Sequence, residues 1–267
     1  MTMQQFQRAL CDMIASPLLC RLVRARGDET LVQYELSPRE RRRIASVARQ
    51  RGMETCCTLY RSNRITPIYT LLPLTCFLLG ESLASEVELF WRSSRDTTLQ
   101  FQHEVERFGR FLRERMDTGA IHGEYLREVT DFEVAFIRMS FGHGSAPGTV
   151  IRCDPPTSRG DRYLHIDPSV QVVFFRHEPA CLLDKLSARR RPDDELPTGE
   201  YCIVLARAAE DIRVLPVDLA LGRLLESMQR GDVPMVHPCA ADALVLAGIA
   251  HWSRPTRAAG RESLEAT

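Results

Sequence analysis

The stretch Phe141-Gly142-His143-Gly144-Ser145-Ala146-Pro147-Gly148 divides the chain. Three glycines and a proline in eight residues suit neither a helix nor a strand, so the stretch reads as a linker. Immediately upstream, residues 124–139 put Leu126, Val129, Phe132 and Phe136 on one helical face. Residues 97–116 do the same with Phe101, Val105, Phe108 and Leu112. Further upstream, Ser37-Pro38-Arg39-Glu40 has Ser as cap, Pro at the first helical position and Glu three residues after the cap. That is a capping box and a specific helix start, with Gly52 as its stop. Residues 5–14, 54–64, 66–80 and 83–91 complete a helical set. In it, Thr66-Pro67 begins a helix that Pro73 bends.

Downstream of the linker the pattern changes. Residues 170–175, 201–206 and 212–215 read as strands, separated by a polar loop at 187–198. Asp218 can cap a helix carrying Leu221, Leu224, Leu225 and Met228, with Gly231 as its stop, and residues 240–252 read as a last helix. The expected fold class is therefore α+β. An all-α domain spans residues 1–145, a small α+β domain spans 146–255, and a disordered polar tail spans 256–267.

Composition narrows the function. The 267 residues carry 35 basic and 35 acidic side chains, so no basic excess draws the whole chain to nucleic acid or to an anionic membrane. The start has no apolar signal segment, and the longest apolar run, residues 71–79, is about half a bilayer span. A soluble cytoplasmic protein is expected. Nine cysteines without a C-x-x-C pair read as buried reduced thiols. Arg39, Arg41, Arg42, Arg43, Arg49 and Arg51 crowd one helix. They form either a solvated face opposite Ile44, Val47 and Ala48 or a surface for an anionic partner.

Catalytic templates fail. Gly142-His143-Gly144 follows a helix and its third glycine comes one residue late, so the dinucleotide-binding context is missing. There is no P-loop, no G-x-S-x-G and no H-E-x-x-H. His103, His122, His143, His165, His177, His237 and His251 form no i, i+4 pair. His165 and Asp167 could share a strand face but do not make a metal site by themselves. No catalytic residue and no metal ligand are assigned to this chain.

Tyr60-Arg61-Ser62-Asn63-Arg64, Leu71-Leu72-Pro73 and Phe77-Leu78-Leu79-Gly80-Glu81 together resemble the Y-R-x-N…L…P…L-L-G-E signature of the HvfC family. Phe108 to Leu112 resembles that family's F-x-x-F-L segment. Tyr125-Leu126 with Phe132-Glu133-Val134-Ala135 resembles its Y-L…E-x-A helix. Residues 170–175, 201–204 and 214–216 are similar to its C-terminal strands, so the match covers about residues 5–250. The resemblance implies a non-catalytic partner subunit of a multinuclear iron enzyme with a TIM-barrel fold, related to the pairs in 3-thiaglutamate and methanobactin biosynthesis. It implies a heterodimer in which the iron belongs to the other chain. This chain would hold a ribosomally made precursor peptide through a winged-helix-like module of the RiPP recognition element type and present the peptide's cysteine. Length and the plain N-terminus favour the thiaglutamate-type pairing. Arg64 and the insert at 187–198 depart from the pattern and leave open which peptide is bound.

A sheet edge binds an extended peptide through main-chain hydrogen bonds, with side-chain pockets setting register. The short strand after Asp211 suits an edge. Asp211, Ile212, Arg213, Val214 and Leu215 are accordingly the candidate peptide-binding residues, with Val245, Leu246 and Ile249 walling the groove. Arg61 and Arg64 lie three apart on one helical face. With Asn63 as a helix-end cap, they are the candidate partner-binding residues. The alternative reading is a winged-helix DNA-binding regulator. Zero net charge and the poor recognition surface at Leu221-Gly222-Arg223 speak against it.

Overall fold

The computed structural model describes residues 3–93, 101–141, 149–153, 162–167, 169–192, 196–208, 211–230, 244–246 and 249–253. They fall into two compact units, Met1–Ile121 and His122–Thr267. The class is α+β: every described element of the first unit is helical, and the second carries two three-stranded antiparallel sheets. Among the described residues no single helix is long and apolar enough to cross a membrane.

The first unit contains α1 (Met3–Ala15), α2 (Pro17–Arg26), α3 (Pro38–Ala48), α4 (Gly52–Leu71), α5 (Pro73–Leu79), α6 (Leu83–Ser93) and α7 (Phe101–Asp117). The capping box forms as expected: Ser37 Oγ accepts from the Glu40 N–H, and Glu40 Oε2 accepts from the Ser37 N–H at 2.8 Å. α2 has the same logic but was not anticipated. Ser16 Oγ accepts from the Leu19 N–H at 3.2 Å, and Pro17 opens the helix. Met13, Val23, Leu31, Ile44 and Ala48 are fully buried in one apolar cluster of this unit.

Two prolines behave differently from the sequence reading. Pro67 does not start a helix, because α4 runs through it to Leu71. The hydroxyls of Thr66 and Thr70, on either side of Pro67, donate back to the carbonyls of Ser62 and Thr66 at 2.7 and 2.9 Å. The break comes at Leu72, which Pro73 forces out of the helical region to φ −122 ψ 52. The axis turns by 100° there. Gly52 opens α4 instead of closing α3, whose cap is Arg49.

The second unit holds α8 (Leu126–Phe141), β1 (Thr149–Cys153), β2 (Arg162–Ile166), β3 (Gln171–His177), α9 (Pro179–Ser187), β4 (Thr198–Ala208), β5 (Asp211–Val217), α10 (Leu219–Gln229) and β6 (Ala250–Ser253). The units divide before α8, earlier than the glycine-rich stretch, because α8 packs on β3 and β4. Phe132 of α8 stands 6.1 Å from Phe175 of β3. Residues 142–148 and the tail 256–267 lie outside the described residues.

One sheet has the order β1-β2-β6 and the other β3-β4-β5. The expected helix over 240–252 does not reach its end; residues 240–243 and 247–248 lie outside the described residues. Residues 244–246 are helical, and the Ile249 N–H bonds to the Leu244 carbonyl at 2.9 Å. Ala250–Ser253 instead pairs with β2, in a register that sets His251 opposite His165. Leu244, Ile249 and Ala250 join the unit's core beside Ile166, which helical continuation past 246 would not allow.

β4 is the central strand, and its residues 202–206 are all buried. Val204 and Ala206 pack in a cluster with Leu225 and Met228 of α10, so β4 is covered on that face by α10 and on the other by α8. Asp218 caps α10 by accepting from the Leu221 N–H at 2.8 Å. Gly222 lets the helix approach, since a Cβ there would lie 2.3 Å from Cys202 Sγ. Burial pushes the Cys202 thiol up to about 11, helped by the nearby Asp218 and Glu226 charges.

Gly222→Ala is expected to lower stability by about 1–3 kcal/mol through overpacking, read as a lower urea midpoint with an unchanged slope. Burial and the neighbouring Cys20 push the Cys57 thiol to about 11, whereas Cys11 and Cys56 are exposed. Iodoacetamide at mildly alkaline pH should label Cys11 and Cys56 and spare Cys57 and Cys202 until the chain unfolds, as peptide mass mapping would read.

Candidate functional site

β5 pairs with β4 and has no strand on its outer side among the described residues. Its side chains alternate. Leu215 and Val217 pack against the α10 side of the core, so Ile212, Val214 and Pro216 lie on the opposite face. Val214 is 43% exposed, and Asp211, Arg213 and Pro216 are exposed as well. Pro216 has no N–H, and a strand tolerates proline where that position faces outward. By the same alternation Ile212 and Val214 turn their N–H and C=O groups to the open side. The edge therefore offers main-chain donors and acceptors beside an exposed apolar side chain.

The other candidate residues are placed differently. Ile249 is fully buried and Val245 packs against the same cluster, while Leu246 is 88% exposed. Arg64 points inward: its Nε donates to Glu104 Oε1 at 2.6 Å, with both side chains buried. Its guanidinium stands 5.5 Å from the Phe90 ring centre and 5.4 Å from that of Trp91. Arg61 pairs with Glu88 and stands 4.9 Å from the Trp91 ring centre. Asn63 is exposed in the interior of α4 and is not a cap.

At the end of the sheet where β5 stops, an open depression of about 750 Å³ is lined by Gly123, Glu124, Arg176, His177 and residues 198–200. Its floor is a buried pair. Glu128 Oε1 lies 2.6 Å from His177 Nδ1, and Glu128 Oε2 accepts from the Arg176 and His177 N–H groups at 2.7 and 3.4 Å. An ionised carboxylate can only accept, so in this position it selects the imidazole form that donates from Nδ1. Nε2 is left toward Glu124, whose Oε1 is 3.8 Å away. Tyr125 holds the imidazole edge-on at 4.7 Å. A carboxylate that fixes one ring nitrogen orients the other for hydrogen bonding or proton transfer. Among the described residues no group of three or more His, Cys, Asp or Glu could hold a metal ion.

The sequence reading counted His177 among scattered histidines and did not single out Glu128, which is 49 residues away. The available signal was a glutamate inside the apolar stripe of α8, next to Val129. No protein-family model matches the chain, and no curated protein matches it in sequence.

Removing the carboxylate orphans two backbone N–H groups and a ring N–H. Glu128→Ala should therefore cost about 2–4 kcal/mol in urea denaturation, and Glu128→Gln distinctly less. Equal stability of Glu128→Ala and the parent would mean that the pair does not form.

Proposed function

We propose that this chain is a non-catalytic partner subunit that captures a ribosomally made peptide on the edge of β5. It presents the peptide's cysteine to a multinuclear iron oxidase of TIM-barrel fold. The iron belongs to the partner subunit, and the pairing is of the 3-thiaglutamate type. The resemblance to the HvfC family motivates this role, and the open edge of β5 supports it. The carrying observation is that β5 has no outer strand among the described residues and that Val214 exposes an apolar side chain there. Pro216, two residues on, implies that the main-chain groups of Val214 also face outward. In this reading the sheet β3-β4-β5 with α10 acts as a winged-helix-like recognition module, and Arg213 and Asp211 flank the peptide's path.

β-Augmentation makes a sharp prediction. Val214→Pro removes an outward N–H but no bond of the β4–β5 ladder, as Pro216 already does two residues on. The variant should fold and melt like the parent. It should bind, about tenfold more weakly, a candidate precursor peptide that the parent chain binds, by calorimetry at physiological salt. Unchanged affinity in Val214→Pro would sink the edge-strand reading. Submicromolar, salt-sensitive binding of duplex DNA without peptide binding would replace it with a DNA-binding regulator.

A further inference from the structure

Helix α3 is built against its own electrostatics. Arg39, Arg41, Arg42 and Arg43 occupy its N-terminal half, where the helix dipole favours anions and disfavours cations. Arg39 and Arg43 are four apart and repel. The one acid of that half, Glu40, is held by the backbone N–H and hydroxyl of Ser37 at 2.8 and 2.7 Å, which also keep its carboxyl below the usual range. Ile44, Ala45 and Ala48 face the core, which turns Arg39, Arg42 and Arg43 outward to water.

What sets α3 apart is density. Arg24, Arg61, Arg64 and Arg115 of the unit each meet a carboxylate: Glu54, Glu88, Glu104 and Glu86. Exposed Arg8, Arg21, Arg92 and Arg110 stand singly along the sequence, whereas α3 puts four arginines in five residues. Among the described residues no ion pair involves Arg39, Arg42, Arg43, Arg49 or Arg51, and all five are exposed. Arg49 extends the patch toward α2. Its guanidinium lies 3.7 Å from where a Gly27 Cβ would be, beside exposed Arg26. A local rule broken at this scale, with no compensating pair, marks a functional surface.

We propose that the outer face of α3 is a docking surface for an acidic peptide segment, its carboxylates taken by Arg39, Arg42, Arg43 and Arg49. Arginine suits this partner because its planar fork meets a carboxylate bidentately. The patch covers the outer face of α3 and, through Arg49, reaches Arg26 at the end of α2. Asp28 and Glu29, in the turn packed against α3, and exposed Glu35 bound it. A nucleic-acid duplex, with its broad phosphate footprint, would have to lie over these acids. A single acidic strand or helix would not. The surface lies on the first unit and stands apart from the β5 reading.

The test is fluorescence anisotropy of the full chain. The probes are a labelled glutamate-rich peptide and a duplex DNA of matched net charge, at about 50 mM and about 150 mM salt. The peptide should bind more tightly than the duplex and weaken as salt rises. The double variant Arg42→Glu with Arg43→Glu should lose at least about tenfold in peptide affinity. Its melting temperature should stay close to the parent's, because both side chains are exposed on the outer face of α3 and make no ion pair among the described residues. Loss of binding with stability retained excludes unfolding as the cause. Val214→Pro should leave this binding unchanged, which separates the two surfaces. No peptide binding, tighter binding of the duplex, or full affinity in the double variant would each overturn the proposal.

Discussion

A strand buried on both faces needs two covers, and β4 sets that requirement for the second unit. Five successive residues, 202–206, are buried. Each large apolar side chain among them contributes about 1.5–3 kcal/mol only if something lies over it. α8 covers one face and α10 the other. Close approach on the α10 side then demands Gly222, because Cys202 already fills the space a Cβ would need. α8 and α10 cover the faces of β4, not the side of β5, and among the described residues β5 has no strand on its outer side.

In the first unit the corresponding constraint is a buried charge. Arg64 and Glu104 are almost wholly removed from water, which costs several kcal/mol per ion before their attraction returns it. The geometry recovers part of that cost. The guanidinium donates at 2.6 Å and lies near the faces of Phe90 and Trp91, where cation–π attraction adds to the ion pair. Glu104 Oε2 nevertheless has no hydrogen-bond partner. Such a pair contributes more to fixing the register of α4 against α7 than to raw stability. A similar tie joins α6 to α7, where Arg115 grips both oxygens of Glu86 at 2.9 and 2.8 Å.

Local chemistry was legible in the sequence and non-local chemistry was not. The capping box at Ser37 and the cap at Asp218 depend on atoms within four residues, and both form as read. The strands β3, β4 and β5 were legible because their β-branched and aromatic runs are bounded by turns. Pro67 and Pro73 carry the same local signal, yet only Pro73 breaks the helix. What differs is that Leu72 before Pro73 leaves the helical region while α4 continues through Pro67 to Leu71, and that outcome is set by packing and not by the proline signal. Residues 240–252 read as helix, but 250–252 pair with β2, and that partner lies over eighty residues upstream. The glycine-rich stretch marked a change of texture, not of unit, because α8 finds its partners across it. The Glu128–His177 pair had no motif to announce it. A lone core glutamate and a lone histidine become a site only once β3 is laid against α8.

An open edge is also a hazard, since it can pair with another copy of itself as readily as with a partner. β5 carries the features that natural edges use against this. Pro216 deletes one outward donor, and Arg213 and Asp211 put charges near the far end. Between them only Val214, flanked by half-buried Ile212, offers an uninterrupted backbone register. A long generic strand would meet the proline at one end and charges at the other. A short segment that can leave its N–H-accepting carbonyl unpaired opposite Pro216 would not. Main-chain pairing by itself is blind to sequence, so selection on this edge must come from length, from that one missing donor and from the side chain that meets Val214. Those features guard the edge against self-pairing and fit the peptide-binding role proposed for it.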